Sequence, residues 1–278
     1  MEQTLNLADK PRTLTARVMA YPLLRIVLGV VLTFGAVPVV MIAVSQLVAK
    51  PYRMVWPQLL AALLVWFGYR CWVHRVEQRQ PSELDTAGMA GQLGAGVLLG
   101  AMLALLTFAL LGALGAYQLD GFNRPGAMLL IPLAELFLVA MTEEMVFRGV
   151  LFGVTERALG SKAAIAISAL VFGLAHLPNG GVSVLAMAAL AAYGVLQAAL
   201  YLRTRRLWVC IGSHLAWNYC VGQVFASTVS GHAASDGLLR GALVGDPIFT
   251  GGAFGVEGSL ITVLLIGTAA ALALRRAR

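Results

Sequence analysis

Long apolar runs, separated by short polar segments, fill most of the chain after residue 22. A helix that crosses a lipid bilayer needs roughly 20 mostly apolar residues, with a range of about 17–25. Seven runs reach or approach this length, at 23–49, 55–72, 90–118, 127–157, 182–202, 207–226 and 259–274, and a shorter run lies at 163–177. The pattern predicts an all-α fold, a polytopic membrane helix bundle of about eight transmembrane helices.

The composition and the placement of charge agree with a membrane protein. Hydrophobic residues make up 59% of the 278 residues and charged residues only 12%, against roughly 25% charged in soluble domains. With eight spans and a cytoplasmic N-terminus, most of the 20 Lys and Arg residues fall on the cytoplasmic side, as the positive-inside rule predicts. The net charge of +7 therefore orients the protein, and we expect no nucleic-acid partner.

These features predict an integral protein of a bacterial-type inner (plasma) membrane, with both termini in the cytoplasm. Lys10, Arg12 and Arg17 would hold the N-terminal segment there, and Arg276 and Arg278 the C-terminal tail. The polar start of the chain lacks a compact apolar core followed by a cleavage-like site. We therefore expect the first span to be retained.

The same pattern divides the chain into five segments. These are a cytoplasmic N-terminal segment (1–22), three N-terminal transmembrane helices (23–118), core helices that carry the polar motifs described next (127–226), an extracytoplasmic loop (227–258), and a last transmembrane helix with a basic tail (259–278). In the third span Gly96 and Gly100 stand four residues apart, a spacing that lets helices pack closely. The charged stretch 74–88 is interpreted as a solvated loop, with a short amphipathic helix on the cytoplasmic surface as the alternative. No repeat relates the two halves of the chain.

Two adjacent carboxylates and a guanidinium interrupt the apolar stretch LVAMTEEMVFRGVLFG at 138–153. A charge at bilayer depth costs about 2.5–3.5 kcal/mol or more, so such residues are usually paired or functional. Glu144 and Arg148 have the four-residue spacing of an ion pair within a helix, whereas Glu143 points to another side. We expect Glu143 to face a different neighbour. The alternative is that all three charges form one structural ion cluster.

Two histidines in other apolar spans are the candidate neighbours. His176 follows Phe172 by four residues, and His214 precedes Asn218 by four, so each pair lies on one helix face. Helical rise places these groups and Glu143 at similar depth, in a shared polar cavity expected to open toward the cytoplasm. Glu135 is interpreted as a further buried acid with a structural role. His74 and His232 are interpreted as loop residues without a functional role.

Together these side chains suit the addition of water to an amide bond. A carboxylate partly removed from water is a better proton acceptor, which would let Glu143 activate water. A histidine can polarise that water, and the pair His214 and Asn218 offers donors for a developing oxyanion. The favoured interpretation needs no metal. The alternative is a zinc site in which Glu143, His176 and His214 are the ligands.

Three motifs occur in order, each within a hydrophobic segment: EExxxR at Glu143, Glu144 and Arg148, FxxxH at Phe172 and His176, and HxxxN at His214 and Asn218. Together they resemble the CPBP (CAAX protease and bacteriocin-processing, or Abi) family of intramembrane endopeptidases, which is related to the type II CAAX prenyl protease. The resemblance covers about 129–222. It implies a hydrolase, a protease that cuts peptide or protein substrates, either unmodified or lipidated, among membrane lipids.

The resemblance also implies a role for each motif residue. Glu143 and His176 would activate the water, and His214 and Asn218 would line the oxyanion site. Glu144, Arg148 and Phe172 would support the architecture. The family has been described both as glutamate-dependent and as metal-dependent, so the question of zinc stays open. Two other classes remain as alternatives: a proton-coupled transporter, which the missing repeat disfavours, and a noncatalytic scaffold.

Overall fold

The computed structural model describes residues 20–124, 126–233 and 236–275, and it is mostly helical, as predicted. The predicted basic ends of the chain, at Lys10, Arg12, Arg17, Arg276 and Arg278, lie outside the described residues. In chain order the α-helices are α1 Pro22–Phe34, α2 Ala36–Leu47, α3 Trp56–Arg75, α4 Met89–Ala113, α5 Ile131–Glu144, α6 Gly153–Leu159, α7 Ser161–Ala175, α8 Val184–Thr204, α9 Trp208–Tyr219, α10 Pro247–Thr250 and α11 Leu260–Arg275. Two π-helices, Met145–Phe152 and Cys220–Val224, continue α5 and α9.

Within the described ranges, three helical stretches are long and apolar enough to cross a membrane. They are Pro22–Leu47, which joins α1 and α2, then Met89–Ala113 and Val184–Thr204. The apolar helices α7 and α11 are shorter. The predicted run 127–157 is continuous in the structure, but the π-helix divides it into pieces that are each shorter than a span. The structure therefore agrees with a membrane helix bundle, and the number of about eight spans stays a prediction.

A small antiparallel sheet is the one departure from the predicted all-α fold within the described residues. It pairs β1, Tyr117–Phe122, with β2, Leu239–Leu243. The third predicted span was drawn to residue 118, but α4 ends at Ala113 and Gly115 turns the chain with a φ of +72°. The sheet ties the 227–258 loop to the end of α4.

Close packing between α4 and α9 holds the centre of the bundle, as the glycine spacing predicts. A Cβ atom at Gly96 would lie 2.2 Å from the carbonyl oxygen of Val209, and one at Gly100 would lie 2.2 Å from that of Ser213. From the other side, a Cβ at Gly212 would lie 2.4 Å from the carbonyl oxygen of Leu93. Only glycine permits this approach of two backbones. Because α9 carries His214 and Asn218, the glycines of α4 help to place the candidate site.

The charged segment 74–88 is a folded polar layer, which corrects its interpretation as a solvated loop. Glu77 has a side chain only 1% exposed and accepts hydrogen bonds from Arg25, at 2.8 and 2.6 Å, and from Arg157. Glu83 is also buried, and it accepts hydrogen bonds from Arg79 and from the hydroxyl of Tyr69. His74 belongs to the last turn of α3, which corrects its interpretation as a loop residue. Arg79 and Glu83 lie four residues apart within the segment, whereas the partners of Glu77, Arg25 and Arg157, are distant in sequence and gave no signal.

We predict that Gly100→Ala destabilises the protein. The added methyl group must displace the Ser213 carbonyl, and overpacking of this kind costs about 1–3 kcal/mol. Thermal unfolding of the purified protein in detergent would measure the loss. Gly94→Ala is the matched control, because among the described residues nothing lies within 4 Å of its new Cβ. Equal stability of the two variants would contradict the close contact.

We predict that Glu83→Gln destabilises the protein most at neutral pH. Burial alone would raise the pKa of Glu83, but the hydrogen bonds and charge of Arg79 and the hydrogen bond from Tyr69 hold it below its usual value. A depressed folded-state pKa stabilises the fold above the unfolded pKa of about 4.3. This contribution is lost as the pH falls through the folded pKa.

Melting temperatures of wild type and Glu83→Gln between pH 7 and pH 3 would test this prediction. The difference in melting temperature should be largest at pH 7, where it corresponds to a loss of unfolding free energy on the order of 1.5–3 kcal/mol for a charged hydrogen bond. The difference should shrink below about pH 4. Asp120→Asn, at an exposed carboxylate of β1, is the control. A difference that does not change with pH would contradict the assigned ionisation.

Candidate active site

The buried ion pair predicted from the four-residue spacing is present. Arg148 Nη1 lies 3.1 Å from Glu144 Oε1, and both side chains are fully buried. Arg148 lies in the first π-helix, so the α-helical phase used to predict the contact does not apply across 145–152. The wider π-helical turn still places residues four apart near one another. Arg148 also donates to the carbonyl oxygen of Gly194 in α8, at 3.3 Å, and lies over the ring of Phe172.

Glu144 has a second partner that spacing could not predict. His214 Nδ1 lies 2.9 Å from the same Oε1 atom that contacts Arg148. Because a carboxylate only accepts hydrogen bonds, Nδ1 carries the hydrogen and the neutral ring has its lone pair on Nε2. Glu144 therefore orients His214 while the guanidinium of Arg148 compensates its charge. This contact joins α5 to α9.

Glu143 faces His214. It was expected to face a neighbour other than Arg148, and His214 is that neighbour. Its Oε2 atom lies 3.9 Å from His214 Nε2 and is itself buried, without a hydrogen-bond partner among the described residues. The Glu143 side chain as a whole is 26% exposed. The proton-accepting atoms of Glu143 and His214 thus face each other across a gap too wide for a direct hydrogen bond.

One cavity of about 350 Å³ is lined by all four residues predicted to be catalytic, Glu143, His176, His214 and Asn218. His176 immediately follows α7, and its Nδ1 donates to the carbonyl oxygen of Phe172 at 2.8 Å. The histidine therefore caps the end of a helix, where the sequence suggested a position within a span. Pro178 and the turn that follows stop the helix there. The bond to Phe172 makes Nε2 the proton-accepting nitrogen of a neutral His176.

The cavity lies toward the end of the bundle that is remote from Lys162 and Arg203. Those basic residues lie near the start of α7 and the end of α8, whereas the cavity walls include Asn179, Ser230 and His232, from the turns at the opposite end. The expectation that the cavity opens toward the cytoplasmic end stays a prediction.

Sequence reasoning missed several residues of the cavity walls. His232 was interpreted as a loop residue without a role, yet it lines the cavity, and Asn179 and Ser230 join it there. Glu135 also lines the cavity, but it is exposed, which corrects its interpretation as a buried acid. These residues lie in turns or at a helix start, where hydrophobic periodicity carries no signal. Their types, His and Asn close to Gly and Pro, were the only available hint.

The predicted zinc ligands are not grouped as a metal site in this geometry. Glu143, His176 and His214 were the candidate ligands, but across residues 20–124, 126–233 and 236–275 no three His, Cys, Asp or Glu side chains are grouped to hold a metal. A zinc cofactor stays an alternative that chelation can test.

The fold and this cavity define a helical membrane protein with a buried, carboxylate- and imidazole-lined chamber. Residues 125–220 match the family model described as type II CAAX prenyl endopeptidase Rce1-like. This match supports the resemblance of that segment to the CPBP, or CAAX protease, family. All residues of the three motifs lie within the matched segment, which ends before the 227–258 loop. No curated protein and no solved structure gave a significant match.

We predict that Arg148→Ala lowers stability severely, by about 3–5 kcal/mol, because it leaves the Glu144 charge buried and uncompensated. The double variant Arg148→Ala/Glu144→Gln should recover part of this loss, since the stranded charge is gone. Thermal unfolding of wild type, both single variants and the double variant gives the coupling between the two residues. Strictly additive effects would show that the ion pair does not act as a unit.

Proposed function

We propose that this protein is a CAAX-protease-like intramembrane endopeptidase in which Glu143 activates the attacking water. The observation that carries the proposal is the buried Glu143 Oε2 atom, which faces His214 Nε2 at 3.9 Å in a cavity of about 350 Å³ that His176 and Asn218 also line. A water molecule bound there would donate one hydrogen to Glu143 and the other to His176, which leaves His214 Nε2 to act as a donor when its ring is protonated. Asn218 supplies a donor for the oxygen of the scissile carbonyl.

The reaction begins when Glu143 takes a proton from the water. His176, whose Nε2 accepts because Nδ1 is bound to Phe172, helps to orient the same water. The hydroxide forms a bond to the carbonyl carbon, and negative charge develops on the carbonyl oxygen. Glu143 then passes its proton to the leaving nitrogen as the carbon–nitrogen bond breaks. Water is consumed, and a new carboxyl group and a new amine are released.

His214 and Asn218 stabilise the oxyanion in this proposal. The Asn218 amide donates in every protonation state, and His214 donates from Nε2 when its ring is protonated. Glu144 favours that protonated ring through its contact with Nδ1. Arg148 balances the charge of Glu144, and Phe172 holds His176 through its carbonyl oxygen. These supporting contacts keep the reacting groups in place before a substrate binds.

The proposal places this chemistry in a bundle of about eight spans, with both termini in the cytoplasm of a bacterial-type cell. Segment 127–226 would be the catalytic core and 227–258 an extracytoplasmic loop that forms part of its walls. The substrate class is a peptide or protein segment, either unmodified or lipidated. A metal-dependent version has one observation in its favour, because a carboxylate on Nδ1 is a common arrangement behind a metal-binding histidine.

We predict that Glu143→Gln abolishes peptide cleavage and leaves the protein folded. A general base contributes on the order of 10²–10⁴-fold to a rate, so the loss should be at least about 100-fold. The measurement is cleavage of a panel of unmodified and prenylated peptides by purified protein, with and without a strong chelator. Glu135→Gln is the matched control, because it removes a carboxylate from the same helix and cavity wall.

The outcomes separate the mechanisms. Cleavage that needs Glu143 and survives chelation supports the glutamate-activated water. Loss on chelation with rescue by zinc favours Glu143, His176 and His214 as metal ligands. Undiminished cleavage by Glu143→Gln would remove this residue from the mechanism. Absence of cleavage by the wild type on every peptide would favour a transporter or a noncatalytic scaffold.

A further inference from the structure

A buried carboxylate outside the family match touches the candidate site from the 227–258 loop. Glu257 is only 8% exposed and lies in the short helical turn Val256–Gly258. Its Oε1 accepts a hydrogen bond from Trp217 Nε1 at 2.7 Å, and its Oε2 accepts from the hydroxyl of Ser230 at 2.8 Å and from the backbone amide of Ser230. Three donors therefore converge on one side chain.

The two partners of Glu257 lead to the two halves of the candidate site. Trp217 lies on α9, directly before Asn218 and three residues after His214. On the other side, the carbonyl oxygen of Ser230 accepts from Asn179 Nδ2 at 2.9 Å, and the Asn179 amide donates to the carbonyl of His176 at 3.0 Å. A continuous hydrogen-bonded chain thus runs from α9 through Glu257 to the turn that carries His176.

The turn at 229–232 is held firmly over the site. Val229 and His232 form an isolated β-bridge, and the Gly231 amide donates to the carbonyl oxygen of Phe254 at 3.0 Å. Gly231 has a φ of +79°, and a Cβ atom there would lie 2.2 Å from the carbonyl oxygen of Gly180. The turn therefore packs directly on the segment after His176. Ser230, at its tip, and Glu257 both line a small cavity with His176, His214 and Asn218.

We propose that Glu257 is a positioning residue that fastens the 229–232 turn across the active site and so sets His176 relative to His214 and Asn218. The expected effect on catalysis rests on the proposed peptidase function. The fastening of the turn by Glu257 does not depend on that function. It gives the 227–258 loop a role in the architecture of the site.

A change of Glu257 to glutamine tests the role with little change of shape. The carboxylate offers acceptor oxygens to both Trp217 and Ser230, whereas an amide has one acceptor oxygen and one NH₂ donor. In Glu257→Gln the NH₂ group must face a donor from one of the two partners. If Trp217 keeps the oxygen, the amide of Ser230 is left without an acceptor and the turn loosens.

Hydrogen exchange of the Ser230 and Gly231 amides in wild type and Glu257→Gln measures this loosening without any substrate. We expect exchange to be faster by about tenfold or more in the variant. Asp246→Asn is the matched control, a carboxylate-to-amide change in the same loop at a helix cap that asparagine also satisfies. Adding Trp217→Phe to Glu257→Gln removes the competing donor and should slow the exchange again, because the amide oxygen can then serve Ser230. Glu257→Ala removes both acceptors whichever way an amide would turn, and unchanged exchange in both Glu257→Gln and Glu257→Ala overturns the fastening.

Kinetics on a peptide that the wild type cleaves test the positioning. Misplacement of reacting groups by about 1 Å can cost roughly 100-fold, so Glu257→Gln should lower kcat by about 10–100-fold and change KM little. Trp217→Phe should restore part of kcat in the double variant. Faster exchange with an unchanged kcat would overturn the positioning role and leave a purely structural one. A wild type that cleaves nothing overturns the proposed function, while the exchange rates still decide the fastening.

Discussion

The carboxylate of Glu144 is the constraint around which the site is organised. A charge fully removed from water must be compensated by a nearby opposite charge and by hydrogen bonds. Glu144 receives both, from Arg148 in the π-helix and from His214 in α9. Arg148 in turn reaches the backbone of α8 at Gly194. If Glu144 lost Arg148 or His214, its buried charge would lack a partner. These contacts therefore hold α5 against α9, and the contact of Arg148 with Gly194 adds α8.

Hydrogen-bonded polar layers close the bundle at both ends. At the basic end Glu77 accepts hydrogen bonds from Arg25 and Arg157, which are distant in sequence. At the opposite end Glu257 accepts hydrogen bonds from Trp217 and Ser230. Between these layers the helices pack through apolar side chains and glycines. The cavity lies next to the second layer, so its walls combine rigid helix faces with turns that depend on specific hydrogen bonds.

Features set by contacts within one helix could be predicted from the sequence, and features set by contacts between distant loops could not. The four-residue spacings identified the Glu144–Arg148 pair and the faces of Phe172 and His176, and the glycine step identified the close approach of α4 to another helix. Spacing within a helix says nothing about which turn folds over it. His232 and Glu257 were missed for this reason, and so were the partners of the charged segment 74–88. The roles of Glu143, His176, His214 and Asn218 in catalysis remain predictions for the experiments above.

The π-helix at Met145–Phe152 changes how distance along the chain relates to direction around the helix. Each π-turn takes up about one residue more than an α-turn, so the side chains of α6 are rotated relative to their positions in a continuous α-helix. Glu143 and Arg157, which lie on either side of this segment, therefore have a different angular relation from the one that 3.6 residues per turn would give. Loss of one residue within 145–152 would let this segment return to α-helical hydrogen bonding, and Arg148 would no longer lie in a wide turn beside Glu144.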